Sequence, residues 1–277
     1  MTAVDAVPAQ AAASRPRPVW AVTLLALREG WRMLRWPVYP LVITFFFVTI
    51  AFEEGQLGGR ADVSHLLGLV LVYGALATLF AASLVATSAR RSGAESQFAS
   101  AALDPQLRTL ATGLGVLVGP AAVAAVLTLA LAYVQHGAGS QLADVLHGWE
   151  YAQLPLIWLG AGLLGVAAAR WLPWPGVPLA LFLGLIAWTL VSAQQLDLGR
   201  AVGFLMPFVI SSRDTIGLGV ESAEGQLGWH TVYLLGLCLL ALAAALLRHR
   251  QLPGRVVFTF CATALLVTIS AAWMQLP

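Results

Sequence analysis

The 277-residue chain contains no lysine; its fifteen basic residues are all arginines. A Gly-x-x-x-x-Gly-Lys-[Ser/Thr] phosphate loop is therefore impossible, and this polypeptide cannot hydrolyse ATP by that route. Charge of either sign is scarce, at 10% of residues against about a quarter in soluble globular domains. Only two cysteines occur, Cys238 and Cys261. Both fall inside apolar stretches, where they read as small packing residues, so no disulfide framework is implied. The five histidines, His65, His136, His147, His230 and His249, stand singly with no His-x-x-x-His pair. They read as isolated interfacial residues and not as a metal set. A Gly-x-Ser-x-Gly elbow is missing as well, so an enzyme acting on lipids has no nucleophile or acid–base constellation to work with. The chain thus offers no catalytic residue, metal site or cofactor site of its own.

Apolar sequence is abundant instead, with 59% hydrophobic residues and a mean hydropathy of +0.82. Seven stretches lack Asp, Glu, Lys and Arg: Val38 to Phe52, Leu66 to Ala89, Thr109 to Val134, Leu154 to Ala169, Val177 to Ala193, Thr231 to Leu247, and Val256 to Met274. A bilayer-spanning helix needs about 20 mostly apolar residues, because backbone in hydrocarbon must satisfy its own hydrogen bonds. The pattern predicts an all-α integral membrane protein with seven spans. The first and fourth runs are short, and each is expected to borrow a flanking turn, Trp36 and Pro37 in one case and Tyr151 to Gln153 in the other.

Arginines distribute unequally over the connecting segments, and Lys/Arg accumulate on the cytoplasmic side. With the N-terminus inside, the inner segments hold Arg15, Arg17, Arg28, Arg32, Arg35, Arg90, Arg91, Arg108, Arg170, Arg248, Arg250 and Arg255, and the outer ones hold only Arg60, Arg200 and Arg213. Nine of the thirteen acids lie outside. This predicts a cytoplasmic N-terminus and an extracellular C-terminus. The all-arginine basic set, with the alanine richness, points to a high-GC bacterial genome and hence to a bacterial plasma membrane. The net charge of +2 describes topology and not nucleic-acid binding. Residues 1–18 are Pro/Ala-rich without an early positive region, which predicts a disordered cytoplasmic tail instead of a cleaved signal peptide.

Four connecting or packing features carry further expectations. Over residues 19–36, Trp20, Leu24, Leu27, Trp31 and Leu34 share one helical face, with Arg28, Arg32 and Arg35 about a quarter turn away. That describes an amphipathic helix lying in the membrane interface, with Pro37 at the bend into the first span. The inner loop from Ser88 to Leu107 carries Phe98, Ala101 and Ala102 at helical spacing, closed by Asp104-Pro105. It is either a short helix that docks on a cytoplasmic protein or a solvated loop that holds topology. In the largest outer loop, the run Ala201 to Ile210, with Phe204, Met206, Pro207 and Phe208, is too short to span and suggests a re-entrant or interfacial element. Gly115, Gly119 and Ala122, and likewise Ala161, Gly165 and Ala169, form small-residue rows for close intramolecular helix packing.

The spans hold no charged relay. Their polar groups are mild, chiefly Thr44, Thr49, Thr78, Ser83, Thr87, Thr112, Thr128, Thr189 and Ser192. Ion-coupled transporters usually keep buried ionisable residues, so a coupled secondary transporter is disfavoured.

Taken in order, these segments resemble the membrane permease of type-2 ATP-binding-cassette (ABC) transporters, in particular small actinobacterial exporter-like permeases. The resemblance rests on the amphipathic segment Trp20 to Trp36, on Gly93, Glu95 and Pro105 ahead of Arg108-Thr-Leu-Ala, on Ala169-Arg-Trp-Leu-Pro-Trp-Pro, and on Trp229-His-Thr-Val-Tyr-Leu-Leu-Gly-Leu. It covers about Trp20 to Arg250. It implies a six-span permease domain over residues 37–250 with an extracellular re-entrant element, and 251–277 departs from the pattern as an extra seventh span. It also implies that Arg90, Arg91, Gly93, Glu95, Phe98, Asp104 and Pro105 form a coupling loop on a separate ABC ATPase. Two ATPase copies, holding ATP and Mg, and a second permease chain, the same or related, would complete the unit. The function so implied is export of a hydrophobic or amphipathic compound along a path lined by mild polar and aromatic side chains. The rival reading is a non-transporting membrane sensor or scaffold that recruits a cytoplasmic partner.

Overall fold

The computed structural model describes residues 19–53, 60–91, 105–135, 148–194, 211–212, 220–221, 224–248 and 254–275. The architecture is helical. In chain order the helices are α1 (Val19–Leu34), α2 (Val38–Glu53), α3 (Arg60–Arg91), α4 (Pro105–Val116), α5 (Ala122–Gln135), α6 (Glu150–Trp171), α7 (Val177–Gln194), α8 (Glu224–Leu247) and α9 (Gly254–Gln275). A π-helical turn, Leu117–Ala121, joins α4 to α5. Among the described residues the only strands are the two-residue pair Ser211–Ser212 and Val220–Glu221.

Five stretches are long and apolar enough to cross a membrane: Val70–Ser88, Pro105–Tyr133, Glu150–Trp171, Leu227–Leu247 and Arg255–Gln275. The apolar parts of α2 and α7, Val38–Val48 and Val177–Trp188, are shorter. Five of the seven expected runs therefore reach spanning length on their own. As expected, α6 takes in Tyr151 to Gln153. In contrast, α2 does not borrow Trp36 and Pro37, which sit in the turn between α1 and α2, where Pro37 lacks the N–H needed to continue the helix. The segment Glu224 to His230, read from sequence as outer loop, is the first part of α8.

The outer surface of the bundle is apolar. Tyr133, Leu129, Phe258, Leu266 and Trp273 are all largely exposed. A soluble monomer rarely shows so much contiguous apolar surface, whereas hydrocarbon accepts it.

Helix α6 is the hub, touching α3, α4, α5, α7 and α8. Its small residues set the spacing. A Cβ on Gly165 would collide with the Leu79 backbone carbonyl of α3, and one on Gly162 would collide with Val116 of α4. The fully buried Trp158 ring of α6 lies directly against Gly74 of α3. Tyr39 of α2 reaches the same place: its ring centroid is 6.3 Å from that of Trp158, and its hydroxyl donates to Thr78 Oγ1 at 3.1 Å.

These neighbours fix the relative directions. Gly74 with Trp158 and Leu79 with Gly165 make α3 and α6 parallel, and Gly228 beside Trp149 with Cys238 beside Gly160 does the same for α8 and α6. Val116 with Gly162 and Gly113 with Leu163 make α4 antiparallel to α6; Gly236 with Thr268 and His230 with Gln275 make α9 antiparallel to α8. One end of the bundle therefore gathers Arg91, Pro105, Arg108, Arg170, Arg248 and Arg255, with exposed Trp171 and Trp174. The other gathers Tyr133, Trp149, Trp229 and Trp273. Aromatic residues at both ends of an apolar bundle match the belts found at membrane interfaces.

The π turn follows from Pro120, which lacks a backbone N–H and crowds the carbonyl one turn earlier; widening the helix locally absorbs both defects. It also lies where α1 packs. A Cβ on Gly119 would stand 2.8 Å from the Gly30 carbonyl oxygen, and one on Gly115 would stand 3.0 Å from the Gly30 nitrogen. The row Gly115, Gly119 thus makes an intramolecular close approach to α1, while Ala122, the third member of the expected row, is exposed and outside it.

Candidate functional site

Three levels along the bundle carry chemistry. At mid-depth, α6, α7 and α8 line a partly open cavity of about 370 Å³, near the lower end of the roughly 300–1,000 Å³ range of small-molecule sites. Gly160, Ala161 and Leu164 line it from α6, Leu185 from α7, and Leu237, Cys238 and Ala241 from α8. The space exists because small side chains of α6 face small side chains of α8. Its walls are aliphatic except for the Cys238 thiol, which donates to the Leu156 carbonyl at 3.4 Å.

None of the mild polar side chains of the apolar runs lines this cavity. Thr78, Thr87, Thr112 and Thr128 bond carbonyls of their own helices, at 2.7 to 2.9 Å and four residues back. In an apolar medium that carbonyl is the nearest partner for a hydroxyl, and it leaves little hydroxyl capacity for a ligand.

The arginine-bearing end is the second level. Trp171 Nε1 donates to the Ala244 carbonyl at 2.7 Å, tying the foot of α6 to α8. The Arg248 guanidinium carbon lies 5.7 Å from the Trp171 ring centroid, within cation–π range.

At the opposite end is a buried polar group that the sequence did not reveal. His230 Nδ1 lies 2.9 Å from Gln275 Oε1, and Gln275 Nε2 donates to the Ala271 carbonyl at 3.1 Å. Glu150, Gln153, His230 and Gln275 are all buried at this end. His230 is therefore not an isolated interfacial histidine. It is a buried tie between α8 and α9, formed by residues 45 positions apart that no local pattern could pair. Gln275→Leu leaves the imidazole without that acceptor and is expected to cost about 1–3 kcal/mol. His230→Leu added to it restores part of the loss, because both partners then leave together. Thermal unfolding in detergent, read as a double-mutant cycle, checks this.

The other predicted residues fall as follows. On α1, Trp20, Leu24, Leu27 and Trp31 are exposed along one flank, as their spacing predicts. The opposite flank, with Ala26, Glu29, Gly30 and Met33, is buried, and Arg32 Nη1 pairs with Glu29 at 3.0 Å. Arg28 and Arg35 are exposed. Gly30 meets α4 beside Val116, which stands eight positions beyond Arg108, about 12 Å along the helix. Close glycine packing on α4, invisible to a hydrophobic-face analysis, holds α1 at that level. Of the loop residues, Arg90 and Arg91 close α3, and Pro105 opens α4 at the same end of the bundle. Gly93, Glu95, Phe98 and Asp104, and likewise Phe204, Met206, Pro207 and Phe208, lie outside the described residues.

Comparison with protein-family models, with curated proteins and with solved structures returns no match.

Proposed function

We propose that the chain is the transmembrane permease subunit of an ATP-driven exporter, of the type-2 ABC kind, moving a hydrophobic or amphipathic compound out of a bacterial cell. The observation that carries the reading is the mid-depth chamber, which offers a passenger aliphatic surface and no ionisable group beyond one thiol. Such a site has nothing with which to couple to a proton or sodium gradient, so the energy enters elsewhere. In this reading α2 to α8 form the six-span core and α9 the added seventh span. The arginine-rich end faces the cytoplasm, with the N-terminus inside and the C-terminus outside.

The loop between Arg91 and Pro105 leaves and re-enters the bundle at that end, where it would meet an ABC ATPase. Two such ATPases, with ATP and Mg in their own sites, and a second permease chain complete the unit. Closing of the ATPases would move the inner loops and alternate access to the chamber. Glu95→Arg and Phe98→Asp, both in this loop, are expected to release the ATPase in co-purification while the membrane helices keep their thermal midpoint. Unchanged association after both substitutions would reject the loop as the coupling element.

A further inference from the structure

We propose that the chamber is a side port from the bilayer, taking the alkyl chain of a membrane lipid that enters between α7 and α8. The proposal deepens the permease reading and rests on it for the lipid's role as passenger, while occupancy of the port is testable without transport.

The packing of the helices sets the opening. Helix α7 rests on α3 and α6 and, among the described residues, scarcely touches α8. Yet Leu185 of α7 and Leu237, Cys238 and Ala241 of α8 line the same partly open space, floored by Gly160 and Ala161 of α6. The flank of α7 is bare at this level, since a Cβ on Gly184, beside Leu185, would meet nothing within 4 Å. Gly160 lies midway along α6, about 15 Å from either end. The hydrocarbon core of a bilayer is about 30 Å thick, so the opening faces lipid tails near the bilayer centre and not water.

The lining selects the occupant. A buried water needs about two to four polar partners, and the one polar side chain here, Cys238, already donates to the Leu156 carbonyl. The lining residues include no aromatic ring to stack on and no charge to hold a headgroup. A peptide would bring N–H and C=O groups that such walls leave unsatisfied. A vacant space would forfeit the dispersion contacts of its leucine walls. An alkyl chain restores them, and it arrives from lipid that is equally apolar, with no hydration to lose. The headgroup stays at the membrane surface, so the passenger is a molecule already dissolved in the membrane and not one captured from the cytoplasm.

The test uses the full chain in phosphatidylcholine vesicles doped with a photoreactive phosphatidylcholine, its diazirine placed either near the end of the acyl chain or near the ester. Cross-links are mapped by mass spectrometry. The chain-end probe is expected to label Gly160, Leu237 and Cys238, together with Leu265 and Leu266, which are exposed at the middle of α9. The ester-proximal probe should leave the chamber unlabelled. Ala241→Phe, which fills the chamber, and Leu185→Trp, which closes it from α7, should lose the chamber cross-links and keep those on α9; the thermal midpoint identifies whichever of the two keeps its fold. Chain-end labelling confined to α9 in the unaltered chain, equal chamber labelling by both probes, or undiminished chamber labelling in a folded variant overturns the proposal. A labelled port in a complete ATPase complex that moves neither lipid nor single-chain amphiphile overturns the permease reading alone. Export that continues unslowed in a folded variant with an unlabelled chamber overturns the port as the passenger's entry and leaves the permease reading standing.

Discussion

Gly119→Leu is expected to prevent stable assembly of the bundle. A Cβ at this position would lie 2.8 Å from the Gly30 carbonyl oxygen and 2.9 Å from its Cα, both of them backbone atoms that cannot rotate aside. Overpacking typically costs about 1–3 kcal/mol where side chains can give way. Here α1 must move off α4, so the cost should reach or pass the top of that range. The variant should accumulate poorly in the membrane, or melt well below the unaltered chain in detergent. Ala122→Leu, three positions further on an exposed face, is the matched control and should change stability by less than about 0.5 kcal/mol. Equal behaviour of the two variants would show that the α1–α4 contact does not form.

Trp158→Ala should have the next largest effect. The indole is fully buried where α2, α3 and α6 meet, against Gly74 and 6.3 Å from the Tyr39 ring. In hydrocarbon the loss is one of packing and not of transfer from water, since lipid tails are as apolar as the core. A cavity of this size costs about 3 kcal/mol, or roughly 6–12 °C in thermal midpoint for a chain this long. Trp158→Phe separates packing from hydrogen bonding. Among the described residues the indole N–H is buried without a partner, so removing it while keeping an aromatic ring should cost far less than the alanine change.

The apolar runs forecast the helices closely because chain-long stretches without charge have few alternatives to a helix in lipid. Val177 to Ala193 became Val177–Gln194, and the short fourth run lengthened to Glu150–Trp171 through Tyr151 to Gln153. The parts that were not legible depend on contacts between distant residues. Gly30 looks like any other residue of an amphipathic segment until Gly115 and Gly119 are placed against it. Gln275 and His230 become a pair only when α9 folds back along α8. The chamber likewise arises where Gly160 and Ala161 meet Cys238 and Ala241, and in a chain so rich in Gly and Ala such positions carry no distinctive local signal. Pro120 was visible in the third run, but its consequence, a π turn at the α1 contact, is a matter of backbone geometry.

Co-purification tests most directly the proposal that this chain is a permease subunit driven by a separate ATPase. The tagged chain, isolated from its own membranes in mild detergent, should bring down a soluble protein with a Walker phosphate loop. The complex should hydrolyse ATP, and an amphipathic passenger should change the rate. A chain that purifies in stable complexes, none of which contains an ATPase or hydrolyses ATP, would contradict the account.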